Sequence, residues 1–320
     1  MNDDHRTHPR IATVGVHILD TLGAPVDHLP SGQSSLRLRE IRVAPAGTAA
    51  GVAVDLAMLG ADVATFGAVG KDEIGAFLLG SLANHGIDTS GVVRIPDVQT
   101  SASILLVRPN GDRPALHVRG ANAVVSWDDL GPPDLSGFAG VHVGGLDAMA
   151  GLDRTGSLAL MAAARAAGAT VSLDFQSSAQ WLEAPLLELL PGADYFMPNL
   201  EQAIGLVGPG TPEEVSERLL DHGPRAVVVT CGELGAVYRD AERVVHQPAY
   251  AVDVVDTTGC GDSFCATFLL ATVRGLATEE SLRLASGAAA LVASGLGSDG
   301  HLSTWDRLEE FVRTAPLLTS

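Results

Sequence analysis

Residues Asp253 to Gly275 read DVVDTTGCGDSFCATFLLATVRG. An apolar run leads into Thr257-Thr258, then Gly259-Cys260-Gly261, and then an amphipathic helix beginning near Asp262. Glycines at a helix start let backbone N–H groups point outward, where the helix dipole favours an anion. Asp262 would serve there as an ordinary N-cap, but a cap alone leaves the glycines before it unexplained. A nest of N–H groups beside a carboxylate also suits phosphoryl transfer. The nest stabilises charge on the moving phosphoryl group, and the carboxylate takes the proton of the attacking hydroxyl. On the residues alone, the cap and the catalytic reading both stand.

Outward from this stretch, strand and helix patterns alternate. Ile11 to Val16 is a β-branched run, and Thr48 to Leu59 is a small, apolar helix that stops at Gly60. Val63 to Phe66 follows as a strand, and Asp72 is placed to cap a helix that runs to His85 and stops at Gly86. Leu152 to Ala167 reads as a helix, Val171 to Leu173 as a strand, and Thr211-Pro212-Glu213-Glu214 as a capping box with proline at the first helical position. Ala226 to Thr230 is a buried strand. Such alternation predicts an α/β fold: a mostly parallel, doubly wound sheet with helices on both faces. Ser103–Val107 and Ala115–Val118 break the pattern, as strands around PNGDRP whose Asn110-Gly111 favours a hairpin turn. With the non-helical segment 20–43 they form a small β lid. The division expected is a disordered tail over 1–10 and one domain over 11–315, with lid segments at about 20–43 and 100–120.

Composition narrows the function. Of 320 residues 46% are hydrophobic, enough for a large core, and 20 Lys plus Arg stand against 38 Asp plus Glu, a formal charge of −18. That excess repels polyanions, so no nucleic-acid partner is expected, and the substrate is small. No apolar stretch reaches the length of a membrane span, and MNDDHRTHPR lacks the apolar core of a signal peptide. Cys231, Cys260 and Cys265 make neither a disulfide framework nor a zinc site. A cytoplasmic protein without a membrane partner is expected.

DTTGCGDSF resembles the second signature of the ribokinase-like (PfkB-type) carbohydrate kinases, D-T-x-G-A-G-D-x-F, with Cys260 at the usual alanine. Three further blocks follow the family's order over roughly residues 11 to 300. AGTAAGVAVDLAMLGADVATFGAVGKDEIG resembles the N-terminal block, MPNLEQA the P-N-x-x-E-A block, and VVVTCGELGA the V-V-T-x-G-x-x-G block. The resemblance implies a ribokinase-like fold and ATP-dependent phosphorylation of a hydroxyl on a small sugar-like substrate, with Mg2+. It implies Asp262 as base and Gly259, Cys260 and Gly261 as an anion hole. Asp20 would bind substrate hydroxyls, with Gly47, Thr48 and Gly51 beside it. Asn199, Thr230, Gly232, Gly235 and Ser286 fall on the ATP side. Asp256 and Thr258 match positions that hold K+ or another monovalent cation in several members.

Each role has a plainer counterpart: Asp20 as a solvated turn residue, Asp256 as a loop brace, Gly232 and Gly235 as a tight turn. Asn122 and Arg119, at the lid's end, are read as edge residues, and His17 and His142 as core or pocket-wall histidines. The chain departs from the family's pattern at Ala46, at Gly51 where asparagine is usual, and at Gln202 where glutamate is usual. Glutamate at 202 is expected to lower the magnesium requirement. Thr48 stands where members that handle ribose often carry lysine, so ribose is not favoured.

Gly70-Lys71 is no Walker A loop, because Thr65 and Asp72 occupy required positions. Gly259-x-Gly261 lacks the third glycine of a dinucleotide fingerprint, which places a nicotinamide oxidoreductase low. The rivals are a nucleoside kinase, against which the 4% aromatic content argues, and a catalytically silent sugar or nucleotide sensor, which need not keep a base. A lid with open strand edges favours a homodimer through the lid.

Overall fold

The computed structural model describes residues 8–109, 112–176 and 184–318. A nine-stranded sheet has the order β13-β12-β11-β10-β9-β8-β1-β4-β5. Its strands are β1 Arg10–Gly15, β4 Asp62–Gly70, β5 Asp88–Ile95, β8 Gly140–Gly144, β9 Thr170–Asp174, β10 Tyr195–Phe196, β11 Ala226–Thr230, β12 Ala236–Arg239 and β13 Val244–Gln247. From β5 through β11 neighbours pair in parallel, and β12 and β13 close one edge antiparallel. Alternate side chains on one strand serve the two faces. In β11, Ala226 and Val228 join the core under helices Ala50–Met58, Cys260–Val273 and Thr278–Ala293, while Val227 and Val229 join the core on the other face.

Local signals act as the sequence predicts. Asp72 Oδ1 accepts the Gly75 N–H at 2.8 Å at the start of helix Glu73–Asn84. The Thr211–Glu214 capping box opens helix Pro212–Leu220. Strand β5 was not anticipated, because DTSGVVRI mixes polar and apolar residues without clean alternation.

A second sheet has the order β3-β2-β6-β7, with β2 Ile18–Ala24, β3 Glu40–Ala46, β6 Ala102–Leu106 and β7 Ala115–Val118. It gathers the lid segments read from the sequence, and β6 and β7 pair antiparallel. The turn expected at Asn110-Gly111 lies outside the described residues. Register sorts this sheet's side chains into two rows. Asp20 lies opposite Ala44 and Ser103, and Ser103 opposite His117; Thr21 lies opposite Val43 and Ile104, and Ile104 opposite Leu116. Leu22, Leu105 and Leu296 form a small core where the lid meets the body.

Candidate active site

Between the lid and the C-terminal ends of the parallel strands lies a cavity of about 1280 Å3. That exceeds the roughly 300–1,000 Å3 of a pocket for one small molecule, leaving room for two. Asp20, Gly47, Thr48, Asn199, Thr230, Thr258, Gly259, Gly261 and Asp262 all line it, so one space unites residues up to 242 positions apart.

Asp262 sits in the first turn of helix Cys260–Val273, whose N-cap Gly259 has φ +79°. A Cβ on Gly259 would meet the Ser298 carbonyl oxygen at 2.1 Å, so both backbone angle and packing require glycine there. Ser263 N–H returns to the Gly259 carbonyl at 2.9 Å, and Cys260 N–H reaches the Thr257 carbonyl at 3.4 Å. The Cys260 side chain turns away: its thiol points to the Ala289 carbonyl, and burial pushes its pKa up to about 12. Position 260 therefore presents only backbone to the loop, which explains how cysteine replaces alanine there.

Enclosure pushes the Asp262 pKa up to about 6; Asp20 raises it further and Arg113 opposes. Asp20 is also pushed up to about 6 by burial, against the Ser103 hydroxyl and Arg113. Its Oδ1 has no protein partner among the described residues and the carboxylate lines the cavity, so it is placed to accept a ligand hydroxyl. Arg113 was not singled out from the sequence. It comes from the lid, donates to Thr257 Oγ1 at 2.6 Å, and is the cation that acts on both carboxylates.

Gly51 abuts the carboxylate itself. A Cβ there would lie 2.9 Å from Asp262 Oδ2. Alanine is the better residue inside a helix by about 1 kcal/mol, so stability and activity should separate. Gly51→Ala is expected to leave the melting temperature unchanged or raised, while turnover falls about tenfold or more as the carboxylate is displaced. Paired melting curves and initial rates check this; an unchanged rate would show that the contact has no catalytic consequence.

Asp256, Gly232, Gly235 and Ser286 fall outside the cavity lining. Asp256 is fully buried: Oδ1 accepts the N–H and hydroxyl of Thr258 at 2.9 and 2.7 Å, and Oδ2 accepts the Gly297 N–H at 2.9 Å. Each oxygen already braces the loop, so Asp256 offers a cation no unpartnered oxygen. Gly232 and Gly235 shape the turn after β11 with φ +58° and +90°, and Ser286 is buried within helix Thr278–Ala293. Asn199 caps helix Leu200–Val207 in a reciprocal box. Its Oδ1 accepts the Gln202 N–H at 2.8 Å, and Gln202 Oε1 accepts the Asn199 N–H at 2.9 Å. Gln202 Nε2 then donates to the Phe175 carbonyl at 2.9 Å. Glutamate would set a carboxylate oxygen against that carbonyl, so the expectation that it would ease magnesium use meets a structural obstacle. Asn122 clasps the His17 backbone through both ends of its amide, at 3.2 and 2.8 Å. His17 and His142 are fully buried, with pKa values lowered to about 4 by desolvation, and are neutral core residues.

A helix start, a carboxylate in its first turn and a second carboxylate under a lid thus meet in one cavity at the C-terminal ends of a doubly wound sheet. The sequence pattern of the pfkB family carbohydrate kinases matches residues 9–305, and the chain belongs to that family. An ATP-dependent ribose-1-phosphate kinase of Halopiger xanaduensis is 30% identical over 292 residues, covering 90% of this chain and 93% of the relative. Fructokinase-1 of Oryza sativa subsp. japonica is 29% identical over 279 residues, covering 82% and 86%. A solved structure from Agrobacterium tumefaciens is 28% identical with a TM-score of 0.84, covering 96% of this chain and 98% of that one. The protein is an ATP-dependent carbohydrate kinase. No helix among the described residues is long and apolar enough to cross a membrane.

Proposed function

We propose that this kinase phosphorylates a hydroxyl of a small sugar or sugar derivative held by Asp20, with Asp262 as general base. The observation that carries this is the shared cavity: Asp20, Asp262 and the Gly259–Gly261 loop face one space, with Arg113 reaching in from the lid. ATP supplies the phosphoryl group, and Mg2+ entering with it neutralises phosphate charge. Asn199 and Thr230 line the side where the nucleotide would lie. The chain's own residues do the rest. Asp20 accepts hydrogen bonds from neighbouring hydroxyls and fixes which one faces Asp262. Asp262 removes that hydroxyl's proton. The backbone N–H groups of the 259–261 loop and the Arg113 guanidinium take up charge on the phosphoryl group in flight. The lid excludes water that would otherwise be phosphorylated.

Against a nucleoside, Phe175 is the one Phe, Tyr or Trp among the described lining residues, and it is almost fully buried, which leaves the His117 imidazole as the open ring face for a base. A sugar with a negative group is a second reading. Arg119 lines the cavity, and its side chain makes, among the described residues, one weak hydrogen bond, 3.5 Å to the Ala148 carbonyl. The test is a panel of neutral sugars, sugar acids, sugar phosphates and nucleosides, assayed for ADP release with the product identified. At least one sugar or sugar derivative should accelerate ADP release strongly. No acceleration by any carbohydrate, or acceleration by nucleosides alone, would sink the proposal.

A homodimer through the lid is part of the same reading. The row facing away from the cavity carries Ile41, Val43, Ile104, Leu116 and Val118, each at least 43% exposed. Five apolar side chains on one sheet face mark an interaction surface, and a second copy would cover them symmetrically. Solution scattering at micromolar concentration should give a dimer mass, and Ile104→Lys should give a monomer. A monomeric wild-type protein would remove this part.

A further inference from the structure

Three side chains on the cavity face of the lid are joined across neighbouring strands. Asp20 on β2, Ser103 on β6 and His117 on β7 stand opposite one another in the register, and all three line the large cavity. Ser103 is the middle member. It is buried, its hydroxyl hydrogen-bonds the Asp20 carboxylate, and its Oγ lies 3.0 Å from His117 Nδ1. Asp20 is ionised at pH 7.5, and an ionised carboxylate only accepts, so the proton between these two residues belongs to the serine. A hydroxyl has one proton to give. The proton between Ser103 and His117 must then come from the ring. This count fixes the tautomer: Nδ1–H donates to Ser103, and Nε2 carries the lone pair. Desolvation and the Arg119 charge lower the His117 pKa against the opposing Ala102 carbonyl, so the ring is neutral and Nε2 is an acceptor. Nε2 has no partner among the described residues.

We propose that His117 binds substrate through Nε2, as a second hydroxyl acceptor beside the unpartnered Oδ1 of Asp20. This rests on the reading that Asp20 holds the sugar. Both residues hydrogen-bond one serine hydroxyl, so their free acceptors are separated by at most two hydrogen bonds and the width of an imidazole. That lies within the span of one monosaccharide. Neither acceptor carries a proton, and Ser103 gives its only one to Asp20. The side chains of this β2–β6–β7 wall therefore offer lone pairs alone, and they fit groups that donate. Hydroxyls at two positions of a sugar satisfy both acceptors. A carboxylate or phosphate set against the same wall would meet acceptors only and be rejected. The substrate therefore turns hydroxyls to this wall and keeps any negative group away from it.

The test is steady-state kinetics at pH 7.5 on the wild type's fastest substrate among the sugars, sugar acids and sugar phosphates of the panel, with its monodeoxy analogues. His117→Asn keeps a donor near Nδ1 for Ser103 but has no atom at Nε2; His117→Ala removes both. Each variant should raise the substrate KM about fivefold, with kcat changed by no more than about twofold. One monodeoxy analogue should lose about fivefold in kcat/KM with the wild type and nothing further with either variant, as a direct contact requires. A wild-type KM in His117→Asn would overturn the proposal: a loss seen in His117→Ala alone makes the ring a brace for Ser103. An effect on nucleosides but not on sugars would overturn it too, by assigning the ring to stacking on a base. These outcomes are read on an active wild type and leave the kinase reading standing. A wild type that turns over no carbohydrate would instead strike the kinase reading, and the role of His117 with it.

Discussion

Asp262→Asn is expected to lower turnover about 100-fold or more while leaving ATP binding intact. Asparagine matches aspartate in size, so it fits beside Gly51 and leaves the 259–261 loop undisturbed. It loses only the capacity to accept the hydroxyl proton. The loss should therefore appear in kcat rather than in nucleotide affinity measured by calorimetry. Near-normal turnover on a good substrate would place the base elsewhere.

Asp20→Ala should act on a different constant. Hydrogen bonds to a charged group contribute about 1.5–3 kcal/mol each, so losing a carboxylate that accepts two hydroxyls should lower kcat/KM about 100-fold or more. Most of that should lie in KM. Removing the Asp20 charge also relieves the field that raises the Asp262 pKa, so the base should not be impaired. Steady-state kinetics on the best substrate of the panel checks this; unchanged KM would make Asp20 a structural residue.

Much of the architecture is legible in the sequence because local chemistry and tertiary role agree. Asp72, the Thr211 box and the glycines at 60 and 86 mark helix ends, and the same residues end helices in the structure. The second-signature stretch places Asp262 correctly at a helix start because Gly259 supplies the positive-φ residue that opens the helix. Less legible are features set by contacts across long sequence separations. Arg113 meets Thr257 across 144 positions, and nothing in PNGDRP distinguishes that arginine from a solvated one. Asp55 reads as one polar position on an apolar helix, and only the packed structure reveals that its oxygens lack partners. Gln202 had a signal that the family comparison obscured: Asn199-x-x-Gln202 is itself a capping pattern, and capping is how the structure uses it.

The pH dependence of kcat/KM, measured in the wild type and in Asp20→Asn, tests the central claim most directly. Asp262 must be ionised to act, and its pKa is raised to about 6, so the wild-type rate should be level above pH 7. It should fall about tenfold per unit below pH 6 for the base alone, and more steeply where protonation of Asp20 also weakens substrate binding. Asp20 titrates near the same value, so the wild-type profile alone does not say which carboxylate is seen. Asparagine at position 20 removes a negative charge that raises the Asp262 pKa, so the acid limb should persist and move to lower pH. A limb that disappears in Asp20→Asn, or a wild-type rate level from pH 5 to 8, would contradict Asp262 as the base.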